Sequence, residues 1–156
     1  DLSGPAVVKQ VQHLTTAPSS VNLITTVIVA DDVNAIQKQL QSWVDGSDGS
    51  VVDIILTTGG TGMSPRDVTP EATQAVLDIE CSGLMSFVSI ECSRVQPLSC
   101  LTRGTAGIIQ RRGDETGESI RNTMVVNLPG NPKAVEEILP ILWPLLVHAV
   151  RDMKQR

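Results

Sequence analysis

Hydrophobic positions along the chain change their spacing several times, and each change marks an element. Val7, Val8, Val11 and Leu14 fall on one helical face, and Ser3-Gly4-Pro5 before them is a helix entry with proline in the first turn. Ala17-Pro18-Ser19-Ser20 breaks the pattern. Asn22–Val29 (NLITTVIV) is rich in β-branched residues and predicts a strand. Asp31 or Asp32 can cap the next helix, whose apolar face is Val33, Ile36, Leu40, Trp43 and Val44. A polar loop over Gly46–Ser50 leads into Val51–Thr58, apolar almost throughout, as expected of a parallel strand covered on both faces.

Beyond a glycine-rich loop, Thr69-Pro70-Glu71 combines a threonine cap, a proline at the first helical position and an acid in the first turn. That helix is predicted to reach about Cys81, and a second to run from about Gly83 to Arg94, ended by Pro97. Gly104–Gln110 and Thr123–Leu128 predict two more strands. Between them, Arg111–Arg121 (RRGDETGESIR) reads as an exposed charged loop, either a solvated insertion or a partner surface. A long helix from about Pro132 to Lys154 closes the chain, with Pro140 and Pro144 expected to bend it. Strands separated by helices predict one α/β domain with a mostly parallel sheet and right-handed crossovers. Such sheets bind ligands beyond the carboxyl ends of their strands. Asp31-Asp32, the GGTG loop and Pro129-Gly130-Asn131 all fall at such ends.

The 156 residues are 41% hydrophobic, with two Trp, one Phe and no Tyr, so the core must be aliphatic. A net charge of −5 without a basic run argues against a general nucleic-acid binder. Cys81, Cys92 and Cys100 show no C-x-x-C spacing, fit no zinc pattern, and read as free thiols of a reducing, cytoplasmic compartment. No apolar run approaches the length of a membrane span.

The candidate chemistry lies in Val51–Glu71, VVDIILTTGGTGMSPRDVTPE. Gly59, Gly60 and Gly62 can turn successive backbone N–H groups toward one anion, and a phosphate is the natural guest. The run is neither a Walker A motif nor the dinucleotide fingerprint, and a strand-to-helix turn without ligand is the alternative. Asp67 shifts the balance. A carboxylate beside a phosphate site calls for a cation, and Mg²⁺ takes one or two carboxylates, phosphate oxygens and water. Asp31 is a second candidate carboxylate, with helix capping as the competing role.

The run TTGGTGMSPRDVTPEAT over Thr57–Thr73 closely resembles the signature of the MogA/MoaB family of molybdenum-cofactor biosynthesis domains, which includes the gephyrin and plant Cnx G domains. Asp1-Leu2-Ser3-Gly4, Val29-Ala30-Asp31-Asp32, Leu101-Thr102-Arg103 and Asn127-Leu128-Pro129-Gly130-Asn131-Pro132 resemble further family segments in the same order. Ala30 stands where the family has proline, and Thr102 where it has serine. Family members begin with a strand that this sequence lacks. The resemblance implies a three-layer αβα domain over residues 1–156, assembled as a homotrimer, with that first N-terminal strand missing here. It implies transfer of AMP from Mg-ATP to molybdopterin, alone or beside a fused or separate molybdenum-insertion domain. Asp31 and Asp67 would hold Mg²⁺ and serve catalysis. Gly59, Gly60, Thr61, Gly62, Pro129, Gly130 and Asn131 would bind the nucleotide, and Ser3, Gly4, Thr102 and Arg103 the molybdopterin side. The alternatives are a trimeric scaffold domain of a gephyrin-like protein, and a CinA-like relative acting on another nucleotide or pterin.

Overall fold

The computed structural model describes residues 2–14, 21–46, 52–112 and 120–155. Helix α1 (Ser3–Leu14) and helix α2 (Val33–Asp45) form where the apolar spacing predicts them. Strand β1 (Ile54–Thr58) leads through the glycine-rich loop to helix α3 (Thr69–Gln74) and the two-residue strand β2 (Ile79–Glu80). Helix α4 (Ser82–Val95), a 3-10 turn (Pro97–Leu101), strands β3 (Ala106–Arg112) and β4 (Ile120–Leu128) and helix α5 (Pro132–Lys154) complete the chain.

The sheet order is β1-β4-β3-β2. β1 pairs with β4 in parallel, while β3 is antiparallel to both β4 and β2. Three of the four strands therefore point the same way, and β3 alone is reversed. Period-two alternation sorts their side chains into two cores. Leu56, Ala106, Met124, Val126 and Leu128 meet α1, α4 and α5 on one face. Ile55, Ile109 and Val125 meet α2 and α3 on the other. The result is a three-layer αβα domain. Pro140 and Pro144 both lie inside α5 on its solvent side, so the carbonyls they leave unpaired, four residues earlier, face water.

Four predicted features come out differently. Residues 22–29 form no strand: they run as coil, and Ile28 is 90% exposed. The segment lies across a cavity of about 1540 Å³ from β1, whose second edge has no partner strand among the described residues. β-branched sequence favours a strand only where a neighbouring edge supplies hydrogen bonds and packing. The helix predicted to reach Cys81 stops at Gln74, because the chain then pairs with β3: Asp78 N–H donates to Ile108 O at 2.9 Å and Cys81 N–H to Ala106 O at 2.8 Å. Thr69 is not the cap of α3; Val68 holds that position, and Thr69 is buried inside the first turn. The charged loop is shorter than predicted, since Arg111 pairs with Arg121 and Arg112 with Ile120 in the β3–β4 ladder. Its remaining residues, 113–119, lie outside the described residues.

Asn127, 1% exposed, ties the layers together. Its amide donates to Thr57 Oγ1 at 2.8 Å and Thr73 Oγ1 at 3.0 Å, and its Oδ1 accepts from Thr105 N–H at 3.0 Å. Leucine at this position would fill similar space but strand those partners. Asn127→Leu is expected to cost about 2–4 kcal/mol of stability, read as a lower urea midpoint with an unchanged denaturant slope.

Candidate functional site

The glycine-rich loop leaves the carboxyl end of β1, the place where an α/β sheet opens a ligand crevice. Gly59 and Gly60 take φ of +90° and +63°, the left-handed region that favours glycine. A Cβ at Gly60 would collide with Thr69 Oγ1 and come within 3.5 Å of Asp31 Oδ1. A Cβ at Gly62 would sit 3.0 Å from Asp67 Oδ2. The two candidate carboxylates thus bracket one short backbone run, Gly60-Thr61-Gly62. The loop is held by Thr69 N–H to Gly60 O at 3.1 Å and Asp67 N–H to Ser64 O at 2.9 Å.

The capping alternative for Asp31 is resolved by its neighbour. Asp32 occupies the N-cap of α2, its Oδ1 accepting from Ala35 N–H at 2.8 Å. Asp31 is left exposed, with no hydrogen-bond partner for its carboxylate among the described residues. Asp67 is half-buried, and its Oδ2 accepts one bond, from Ser64 N–H at 2.9 Å.

The other predicted site residues divide between two flanks. Ser3, Gly4, Asp31, Gly59, Gly60 and Gly130 share the large cavity beside β1. A Cβ at Gly130 would lie 3.0 Å from Gly59 Cα, so the Pro129-Gly130-Asn131 turn rests directly on the glycine loop. Pro129 O accepts from Thr58 Oγ1 at 2.8 Å, which fixes that contact. Asn131 caps α5, its Oδ1 accepting from Lys133 N–H at 3.0 Å. On the opposite flank, Thr102 Oγ1 donates to Thr61 Oγ1 at 3.2 Å. Thr102 and Arg103 border a second, smaller cleft of about 500 Å³, and the buried Thr105 hydroxyl that also lines it has no partner among the described residues.

Arg103 is more engaged than its sequence position suggests. Its Nε donates to Gly62 O at 2.8 Å, Nη2 to Asp67 O at 2.7 Å, and Nη1 to the Glu71 carboxylate. The Arg103 guanidinium holds the Glu71 carboxyl below its ordinary value, with a backbone hydrogen bond adding to the effect. Burial, reinforced by Glu80, pushes the Cys81 thiol up. Burial, with Glu137 and Glu91 adding to it, does the same for Cys92. Both thiols stay protonated near neutral pH and are poor nucleophiles. Glu71 and Asn127 were not singled out as site residues from sequence. Glu71 reads as a first-turn acid, and its arginine partner is 32 positions away.

Among the described residues no three His, Cys, Asp or Glu side chains converge as a metal cage. The donor set is two carboxylates, one near Gly60 and one near Gly62, which fits a cation that borrows the rest of its shell from phosphate and water.

A family model described as "probable molybdopterin binding domain" matches residues 1–148. The chain belongs to this family. It is 41% identical over 123 residues to the molybdenum cofactor synthesis protein cinnamon of Drosophila melanogaster, covering 79% of this chain and 18% of that protein. It is 32% identical over 155 residues to gephyrin of Dictyostelium discoideum, again spanning only 20% of that protein. A molybdopterin adenylyltransferase of Helicobacter pylori is 31% identical over 150 residues, covering 96% of this chain and 76% of the relative. Among solved structures, the molybdopterin biosynthesis enzyme MoaB from Thermus thermophilus superposes with a TM-score of 0.77 at 33% identity, over 99% of this chain and 86% of that one.

Two outcomes follow from the site geometry. Gly60→Ala places a methyl group against Thr69 Oγ1 in a left-handed conformation, and should cost about 1–3 kcal/mol, read as a lower urea midpoint. The Glu71 pairing is pH-dependent. Its folded value lies below the ordinary 4.5, so its small contribution is fully present above that value and fades as pH falls through the lowered one. Thermal melts of wild type and Glu71→Gln should therefore differ by a constant amount above about pH 5.5 and converge on acidification.

Proposed function

We propose that this domain is a molybdopterin adenylyltransferase, transferring AMP from Mg-ATP to the terminal phosphate of molybdopterin. The observation that carries this reading is the pair Asp31 and Asp67, one set against Gly60 and the other against Gly62. Relatives named for the same reaction support it. An oxygen of the molybdopterin phosphate attacks the α-phosphorus of ATP. A new P–O bond forms, the bond to the β-phosphate oxygen breaks, and pyrophosphate leaves with the electron pair.

Backbone N–H groups of Gly59, Gly60, Thr61 and Gly62 receive phosphate oxygens, with Pro129, Gly130 and Asn131 walling the nucleotide pocket. Thr102 borders the molybdopterin side, while Ser3 and Gly4, which the sequence resemblance put there, line the large cavity with Gly59, Gly60 and Gly130. Mg²⁺, held by Asp31 and Asp67, would neutralise phosphate charge when bound. Fixed donors placed before the reaction supply most of the rate, since they need no reorganisation as charge moves. The free thiols Cys81, Cys92 and Cys100 suit a reducing cytoplasm, and among the described residues no helix is long and apolar enough to cross a membrane.

In this reading residues 1–156 form one domain, acting alone or beside a molybdenum-insertion domain. We read the cavity between β1 and residues 22–29 as room for a further strand, as the family resemblance implies. With such a strand supplied, the amides of 54–58 should gain protection from hydrogen exchange; equal exchange would exclude it. We also assign a homotrimer, supported by the exposed apolar side chains of Val95, Leu98 and Leu101. Leu98→Asp with Leu101→Asp should shift sedimentation from trimer to monomer.

The deciding assay follows adenylylated molybdopterin by mass with Mg-ATP. Asp67→Ala and Asp31→Ala should each lower turnover by a factor of about 10² or more while melting like wild type. A normally active Asp67→Ala would remove the metal assignment. A folded trimer with no turnover would favour the scaffold role, and turnover on a different nucleotide acceptor the CinA-like one.

A further inference from the structure

We infer that Arg103 and Glu71 are positioning residues: together they staple the glycine-rich loop into its phosphate-receiving shape, and Arg103 does not bind a substrate phosphate. The guanidinium reaches both ends of residues 62–67, through Gly62 O at 2.8 Å and Asp67 O at 2.7 Å. Its third branch is paired with Glu71 at the start of α3. The backbone of the same residue joins in, Arg103 N–H donating to Thr61 O at 2.8 Å. Four directed bonds from one residue therefore converge on the loop and the helix that follows it.

The segment between the two stapled carbonyls needs such a tie. Met63, Ser64, Pro65 and Arg66 are all exposed, and the segment's own bonds are three: two between Ser64 and Asp67, and one from Arg66 N–H to Ser64 Oγ at 3.3 Å. Hydrogen bonds open to water are individually weak and open locally. Arginine suits the task because its planar fork offers donors in several fixed directions, whereas a lysine ammonium is a point charge that cannot span two carbonyls and a carboxylate. Glu71 completes the arrangement by balancing the charge. Three of the five guanidinium N–H donors are spent in this way, so a substrate phosphate would meet a guanidinium already tied to the loop and neutralised by a carboxylate. Because Arg103 binds the backbone carbonyl of Asp67 itself, the staple also fixes where the Asp67 carboxylate stands against Gly62.

The catalytic consequence rests on the loop being the phosphate cradle, so the test reads the loop both without and with substrates. Amide hydrogen exchange on the free protein would be measured for wild type, Arg103→Ala, Arg103→Lys and Glu71→Gln, beside steady-state kinetics with Mg-ATP and molybdopterin. Exchange at Ser64, Asp67 and Thr69 should accelerate about tenfold or more in both Arg103 variants, with β4 and α5 unchanged. Turnover should fall about 10- to 100-fold in both, with the KM for molybdopterin within about twofold. Glu71→Gln, the milder change, should show the same pattern at smaller amplitude. Loop exchange like wild type in Arg103→Ala, joined to a raised molybdopterin KM that lysine restores, would overturn the proposal in favour of a phosphate ligand. Faster loop exchange in a protein whose wild type makes no product would uphold the staple and refute the adenylyl-transfer reading instead.

Discussion

The buried amide of Asn127 is the constraint on which the site depends. One side chain at the end of β4 satisfies the hydroxyl ending β1, a hydroxyl of α3 and the backbone entering β3. Buried polar groups carry a high cost when unpaired, so this set has one low-energy arrangement. That arrangement fixes three chain segments relative to each other: the launch of the glycine loop, the helix to which it returns, and the strand beyond Arg103. Its position also explains why the Asn-Leu-Pro-Gly-Asn-Pro run is a unit. Its first residue locks the sheet, its glycine rests on Gly59, and its last asparagine starts α5.

Around that lock, the site is built largely from backbone. Glycine conformations aim the loop, Arg103 ties its far side, and Thr58 and Thr102 hold it from the two flanks. Reactive side chains are few, and the two that carry the proposed function are both carboxylates. This economy suits chemistry on phosphates, where catalysis is mainly placement and neutralisation rather than proton transfer by a tuned acid or base. The large cavity beside β1 takes in Gly59 and Gly60, and the smaller cleft is lined by Thr102 and Arg103, whose side chains bond to Thr61 and Gly62. The proposed two-substrate reaction needs such a pair of approaches to one centre.

Legibility in the sequence followed the range of the interaction. α1 and α2 match their apolar spacing and local start signals, α5 its Asn131-Pro132 start, and α4, of mixed polarity, the interval before Pro97. β1 and β4 were found from β-branched runs bounded by turn residues. The same rule failed for residues 22–29, whose strand character depends on a neighbour that the sequence rule does not see. It also missed β2, two residues long and defined only by its bonds to β3. Among the site residues, the glycines and Asp67 were legible because they sit within nine positions of one another. The assignment of Asp31 hung on which of two adjacent aspartates capped α2, a choice made by backbone geometry at Asp32.

The sequence by itself therefore determined the layer type, the aliphatic core, the phosphate-suited loop and the family signature, all of which rest on local pattern. The tertiary structure alone decided which carboxylate was released from capping, that Arg103 spends its guanidinium on the loop, and that Glu71 answers it from 32 residues away. The physical reason is that hydrogen bonds and ion pairs between distant segments obey distance and direction in space, and no periodicity along the chain records either.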